Sequence, residues 1–310
     1  MTDPSIDTDK ETRSGVEAAD YGIRPPGYRL PVDARPGRVS LQVSDLARSL
    51  DYYRSTVGLT VLSQAGPSAT LGTEGSEVPL VELHERPGAS PVPRRGRLGL
   101  FHFAILVPNR SALGLLVRHL DEVGEPAWRS DHAVSEAIYL QDPDNLGIEV
   151  YADRPRENWR RVDRELYMTT QPLDVGDLVQ AAGDSRWSGL PAGTTIGHVH
   201  LHVGDLERAA EFYHEGLGLD KVVWSYPGAL FLSAGGYHHH LGTNTWASGA
   251  APAGEAEARL LDWELGLPTA DDVAAAAGNL ARRGHALTGE GADAVARDPW
   301  GTSVRLRAAT

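Results

Sequence analysis

Residues 197–222, GHVHLHVGDLERAAEFYHEGLGLDKV, decide how this chain is read, because nearly the same phrase occurs earlier. GRVSLQVSDLARSLDYYRSTVGLTVL occupies residues 37–62. The two lie over each other without a gap at a constant offset of 160 residues. Gly37/Gly197, Val39/Val199, Leu41/Leu201, Val43/Val203, Asp45/Asp205, Tyr53/Tyr213 and Gly58/Gly218 are identical. Each copy opens with apolar residues at every second position, the period of a half-buried strand. Each then places an Asp where a helix N-cap is wanted and closes on Gly-Leu, a helix stop. A gapless run of such identities implies duplication, and an internal repeat sets the architecture before any local detail.

Working outward, a weaker pair follows each copy. LFHFAILVPNRSALGLLVRHL (100–120) resembles LLDWELGLPTADDVAAAAGNL (260–280), and DPDNLGIEV (142–150) resembles DPWGTSVRL (298–306). The expected fold is α+β, with four βαβββ modules at 37–94, 97–153, 195–247 and 257–308. Residues 1–36, rich in Asp, Thr, Ser and Pro, read as a flexible N-terminal arm. The first half is then 37–153, and 154–194 is a linker with one short helix in DVGDLVQAAG. The second half is 195–310.

Composition removes several function classes. The 29 Lys and Arg are outnumbered by 42 Asp and Glu, a net charge of −13, which argues against a nucleic-acid or anionic-membrane binder. With no cysteine, disulfides, thiolate metal sites and cysteine nucleophiles are excluded, so a metal would need His, Asp or Glu. No apolar run reaches the length of a membrane span, and the polar, acidic N-terminus is unlike a secretory signal. A cytoplasmic protein is the expectation.

Seven of the 12 histidines fall between 198 and 240. In GHVHLHV, His198, His200 and His202 share one strand face while Val199, Leu201 and Val203 share the other, which should pack under the following helix. The histidine face then lines the concave side of the sheet. By the same parity His102 shares a face with Ala104 and Leu106, and Glu149 with Gly147 and Tyr151. A carboxylate on a buried strand face is costly unless paired or bound to a cation. Two imidazoles and one carboxylate on one side of an ion form the facial triad of non-haem Fe(II) oxygenases. The candidates are His102, Glu149 and one histidine of the 198–202 row. His84, His119, His214 and His285 read as surface or incidental histidines.

At these residues the chain resembles the vicinal oxygen chelate superfamily, and within it the type I extradiol ring-cleaving dioxygenases of the catechol 2,3-dioxygenase kind. The resemblance runs from Gly37 to Leu306 and is sharpest in GHVHLHVGDLERAAEFYHEGLGL, FLSAGGYHHHLGTNTW, DHAVSEAIYLQDPDNLGIEVYADRPRENW and LYMTTQPLD. It implies incomplete barrels built from paired modules, a catechol and O2 as substrates, and Fe(II), or Mn(II) in the same ligand set. It implies His198, His102 and Glu149 as metal ligands. It points to His239 as the acid–base residue, with His238 or His240 if the register slips, and to His132 and Tyr139 as further catalytic contacts to substrate. His200, His240 and Asn244 are expected to bind substrate, with Trp246 in the pocket wall.

One departure from the family concerns order. Here the His-and-Glu module is the second and the module with His198 and the His-His run is the third. Module one has Arg38, Ser40 and Gln42 opposite the histidine row, and module four has Asp262 opposite His102 and Arg305 opposite Glu149. Pairing by sequence halves would split the triad. Modules two and three are therefore expected to close around one site, with one and four as a non-catalytic pair in which Asp262 and Arg305 form a salt bridge. Whether two and three meet within one chain or between copies, giving a homo-oligomer, is left open by the sequence. Two other functions compete with the dioxygenase. A glyoxalase-like isomerase or lyase would draw a carboxylate from each module, and a metal-free binding protein would need no triad.

Overall fold

The computed structural model describes residues 21–290 and 292–309. Module one comprises β1 (Arg35–Val43), α1 (Leu46–Ser55), β2 (Thr60–Ala65), β3 (Ser68–Gly72) and β4 (Val81–Glu85). Module two comprises β5 (Gly99–Leu106), α2 (Arg110–Val123), β6 (Trp128–Asp131), β7 (Ser135–Gln141) and β8 (Gly147–Asp153). The linker holds the short strands β9 (Arg161–Val162), β10 (Glu165–Leu166) and β11 (Gln171–Pro172), then the short helix α3 (Val175–Gln180). Module three follows with β12 (Thr195–His202), α4 (Leu206–Ala210), β13 (Asp220–Val223), β14 (Ala229–Ser233) and β15 (Leu241–Asn244). Module four has β16 (Arg259–Leu267), α5 (Ala270–Arg282), β17 (Leu287–Glu290), β18 (Asp293–Arg297) and β19 (Ser303–Ala308).

Each module repeats one local logic. Its helix starts under a side-chain cap: Asp45, Asn109, Asp205 and Thr269 each accept a backbone N–H from the first turn. Gly58 and Gly218, which follow the first and third of these helices, take positive φ angles of 85° and 96°, the left-handed turn that lets the chain reverse. Three further strands meander back until the last lies parallel beside the first, as in β1 with β4, β5 with β8, β12 with β15 and β16 with β19. The third helix departs from the plain α form. Beyond Ala210 it widens into a π turn over Glu211–Gly216, in which Leu217 N–H bonds the Phe212 carbonyl at 2.7 Å.

The modules assemble across the sequence halves. One sheet runs β17-β18-β19-β16-β1-β4-β3-β2, and the other β11-β6-β7-β8-β5-β12-β15-β14-β13. Modules four and one thus join through the antiparallel pair β16·β1, and modules two and three through β5·β12. The alternate apolar residues of these four strands, among them Val39, Leu41, Phe103, Ile105, Val199, Leu201, Trp263 and Leu265, meet in one core. The helices bury their apolar stripes in the same core through Leu50, Leu116, Phe212 and Leu280. The opposite strand faces, which carry the polar alternates, are left to line the concavities. Within each half the modules of the two sheets are also tied through repeat-related tyrosines: Tyr53 donates to Asp142 at 3.2 Å and Tyr213 to Asp298 at 3.0 Å.

The first 20 residues of the expected arm lie outside the described residues. From Tyr21 onward the chain is anchored rather than free. Ile23 exchanges two backbone hydrogen bonds with Lys221, Arg29 pairs with Asp220 at 2.5 and 2.9 Å, and Leu30 and Ala34 are buried.

Candidate metal centre and catalytic pocket

The concave face of the β5·β12 sheet brings the candidate ligands together through register. Across neighbouring strands, Glu149 on β8 pairs with Ala104 on β5, and Ala104 pairs with His198 on β12. His102 sits two residues along β5 on the same face, opposite His200. Ala104 thus lies between the carboxylate and one imidazole, and its methyl group leaves the centre of the group open. The β5·β12 ladder shifts register between Ile196 and His198 and again between His200 and Leu201, irregularities that re-aim side chains beside a site. Gly197 is required here, since a Cβ would lie 1.8 Å from the Tyr151 hydroxyl.

His102, Glu149 and His198 are 4%, 2% and 1% exposed, and one ligand atom from each lies within 4.8 Å of the others. Glu149 Oε2 is 2.9 Å from His102 Nε2 and 3.1 Å from His198 Nε2. Close as it is to Glu149, His102 Nε2 is not aligned for a hydrogen bond to it and is buried without any other partner. Orphaned buried nitrogen is costly, and a cation at the convergence of these three atoms satisfies it. The donor set, two imidazoles and one carboxylate on one side with no thiolate, fits a divalent first-row metal with open positions. Burial lowers both imidazoles below the usual histidine range, which favours the neutral, ligating form. Burial by itself would push the Glu149 carboxyl up, but the adjoining His198 and His102 outweigh it and hold it well below the usual range.

Only one member of the histidine row is free to face an ion, and hydrogen bonds say why. His200 Nε2 accepts from Asn244 Nδ2 at 3.0 Å, and His202 Nδ1 donates to Asn244 Oδ1 at 2.7 Å. Asn244 therefore ties up both rings. His200 still lines the cavity, whereas Asn244 stands behind it and does not. His240 is likewise turned away: it accepts the Ala234 N–H at 3.2 Å and stacks on Tyr237 with the rings 4.9 Å apart. The His-His run precedes β15 rather than forming part of it, so its rings fan out, and His239 is the one that enters the cavity.

His239 lies with its ring centroid 4.0 Å from that of His198. Behind it runs a hydrogen-bond chain. Asp153 Oδ1, which can only accept, takes His238 Nε2–H at 2.9 Å. In the neutral ring His238 Nδ1 is then an acceptor, and His239 Nδ1 donates to it at 2.8 Å. That leaves the His239 Nε2 lone pair toward the cavity. Burial and the surrounding imidazoles hold His239 well below the usual histidine range, so it is poised as a base rather than a cation. The same logic fixes His132. Its Nδ1–H donates to the Thr169 carbonyl at 2.6 Å, so Nε2 accepts the Tyr139 hydroxyl at 2.6 Å. Burial, followed by the Glu149 charge, raises the Tyr139 phenol well above its ordinary value and keeps it protonated.

These groups line a cavity of about 1030 Å3 whose walls include Phe101, Phe231, Tyr226 and Trp246. Asp153 and the Thr169 carbonyl are not legible as site groups in the sequence reading. Asp153 carried a usable signal, since it continues the Gly147, Glu149, Tyr151 parity along β8, while a backbone carbonyl in a linker carries none. His119 and His214, read from sequence as surface or incidental, are buried instead. Each is satisfied locally, by the Ser55 carbonyl at 2.8 Å and the Leu219 carbonyl at 2.7 Å.

The comparisons with known proteins agree with this geometry. A family model described as "Glyoxalase/Bleomycin resistance protein/Dioxygenase superfamily" matches residues 35–150 and 195–306. The chain is 45% identical over 260 residues to a catechol-2,3-dioxygenase of Bacillus subtilis (strain 168), covering 82% of this chain and 90% of that protein. Among solved structures, a putative dioxygenase from Bacillus subtilis superposes with a TM-score of 0.63 at 14% identity, covering 91% of this chain and 86% of the other. Glyoxalase I from Zea mays superposes with a TM-score of 0.52 at 19% identity, covering 88% and 92%. At such identities these two structures speak for the fold alone.

Proposed function

Since the chain belongs to the Glyoxalase/Bleomycin resistance protein/Dioxygenase superfamily, we propose that it is an extradiol dioxygenase that opens the ring of a catechol with O2. The observation that carries this reading is the convergence of His102, Glu149 and His198 beside a base and a phenol in one cavity. Similarity to a catechol-2,3-dioxygenase over most of both chains supports it. Among the described residues the group contains three ligands and no second carboxylate, which favours ring cleavage over the four-ligand isomerase chemistry.

The proposed ligands are His198 and Glu149, drawn from β12 and β8, and His102 from β5. Fe(II) bound there, or Mn(II) in the same ligand set, supplies the Lewis acid and template that bring diol and O2 together. His239 accepts the proton of a substrate hydroxyl at Nε2, its other nitrogen held by the His238–Asp153 chain. Tyr139, whose own hydrogen goes to His132, accepts from a substrate hydroxyl at the end of a hydrogen-bond chain that His132 anchors on the Thr169 carbonyl. Phe101 and Phe231 cover the imidazoles and keep bulk water from the reacting face. His200 contributes a pocket wall, while Asn244 and His240 act by positioning it and its neighbours. The separate matches to 35–150 and 195–306 support reading the chain as two duplicated halves, 37–153 and 195–310, joined by 154–194.

The test is direct. Protein purified without oxygen should carry iron, or take up added Fe(II), and should consume O2 with catechol while a yellow ring-opened product forms. Bound iron with no O2 uptake on any catechol would overturn the assignment.

A further inference from the structure

The same cavity carries information about its substrate beyond the diol, and this inference rests on the dioxygenase reading. A cross-strand row runs outward from the metal group along the sheet: Ala104 pairs with Glu149, Glu149 with Tyr139, and Tyr139 with Trp128. Directly paired residues share a face, so all four look into the concavity. Three strand spacings of roughly 4.8 Å put Trp128 about 14 Å from Ala104. A single dihydroxybenzene ring held at the ligands cannot reach that far. The cavity, about 1030 Å3, is at the top of the roughly 300–1,000 Å3 range of pockets for drug-sized ligands.

Trp128 at this far end is 80% exposed, and Trp246, nearer the ligands with its ring centroid 5.7 Å from that of His200, is 51% exposed; both line the cavity. Indoles left open to water on a pocket wall gain most when a ligand covers them. Trp246 is braced edge-on by Phe101, with ring centroids 5.5 Å apart, so the wall is preformed. Charge points the same way. Among the described residues no Lys or Arg lines the cavity, and its acidic side chains besides the ligand Glu149 are Glu125 and Asp142, the latter buried and bonded to Tyr53 and to the backbone N–H groups of Asp144 and Leu146. Glu125 is half-buried and accepts the Tyr52 hydroxyl at 2.9 Å. An anionic ring substituent would meet Glu125 with no cation to receive it.

We propose that the substrate is a catechol bearing a bulky, uncharged apolar substituent, such as a second aromatic ring, which lies against Trp128. Ring-borne carboxylates are excluded by the acidic, cation-free wall.

The test compares kcat/KM, by O2 uptake with the Fe(II)-loaded full chain, for 3-phenylcatechol, 4-phenylcatechol, catechol, 3,4-dihydroxybenzoate and 3,4-dihydroxyphenylacetate. One of the phenylcatechols should exceed catechol at least tenfold, and both carboxylates should fall at least tenfold below it. Trp128→Ala should lower the ratio of phenylcatechol to catechol at least fivefold, and Glu125→Lys should raise the ratio of dihydroxyphenylacetate to catechol at least fivefold. A carboxylate that equals or exceeds the phenylcatechols would overturn the proposal, as would ratios unmoved by both variants. If no catechol is cleaved, the dioxygenase reading fails by itself. Calorimetric Kd values for the same compounds without O2 then decide this proposal separately, tighter phenylcatechol binding supporting it and equal binding overturning it.

Discussion

Where the β5·β12 sheet carries His198, His102, Ala104 and Glu149, the twin β16·β1 sheet carries Arg38, Asp262, Glu264 and Arg305 at the matching register. The backbone is the same, but the chemistry is opposite. In the first sheet three donors converge around a position occupied only by the Ala104 methyl. In the second, Glu264 fills that position, and the ions close on one another. Arg38 lies 2.6 Å from Glu82 and 3.8 Å from both Asp262 and Glu264, Arg305 lies 3.6 Å from Asp262, and Arg307 lies 3.6 Å from Glu264. The guanidiniums face Asp262 and Glu264 at 3.6–3.8 Å, beyond hydrogen-bond distance, and so balance their charge and repel a cation. The duplicated face thus serves either to bind a metal or to neutralise itself, according to whether its central residue is small and its cations are titratable.

That contrast can be attacked at several strengths. The largest effect is expected from Glu149→Ala, which removes the only carboxylate of the triad. Metal content should fall to background, and turnover by at least about a thousandfold, the several kcal/mol a metal contributes. Full iron occupancy in the variant, read by elemental analysis, would break the assignment. Next is Ala104→Leu, which closes the gap that distinguishes the two sheets. Iron binding should be lost at a stability cost of about 1–3 kcal/mol for overpacking, so a folded, metal-loaded variant would show that the gap is immaterial.

Asp153→Asn tests the chain behind His239. It replaces a group that can only accept by an amide that can also donate, so the His238 tautomer is no longer fixed, and kcat should fall about 10–100-fold with iron content kept. An unchanged kcat would leave His239 independent of Asp153.

Acidification should separate the sheets more gently. Burial, reinforced by neighbouring imidazoles and for His240 first by Arg35, holds His200, His239 and His240 well below the ordinary value of 6.5. In the unfolded chain they bind protons that the native state refuses, so stability is lost as pH falls through about 6.5. Asp142, pushed up to about 7 mainly by burial, acts in the opposite sense, since the native state takes its proton before the unfolded chain does. Three imidazoles outweigh one carboxyl. Metal-free protein should therefore lose Tm between pH 7 and 5, with hydrogen exchange rising first in β12 and β15 rather than in β1 and β16. Equal loss in both sheets would contradict this. The smallest effect belongs to Arg305→Ala, whose half-exposed ion pairs are worth about 0–1 kcal/mol. Tm should dip slightly and iron content stay the same; loss of iron comparable to Glu149→Ala would mean that the twin sheet contributes to the site.

Much of this was readable in one dimension. Alternation in GHVHLHV put three histidines on one face, and the same parity placed His102 and Glu149, because a strand's two-residue period is a local property. The Asp45 and Asp205 caps were equally local. What parity could not rank was the histidines among themselves. His198 is left free because Asn244, 42 residues from His202 and 44 from His200 in sequence, occupies the other two. His240 faces away because the His-His run lies outside a strand, where alternation no longer applies.

The sequence by itself determined the module and its four copies, since caps, glycine stops and strand alternation are set by neighbours a few residues apart. It also determined which residues could serve as ligands, through the absence of cysteine and the pairing of His with Glu on inward faces. The split triad already pointed to modules two with three and one with four, but only the tertiary structure decided that they join within one chain. Edge-to-edge pairing of β5 with β12 depends on contacts between strands about a hundred residues apart, and no local pattern encodes them. The open gap over Ala104, the tautomer chain to Asp153 and the length of the pocket toward Trp128 all follow from that pairing.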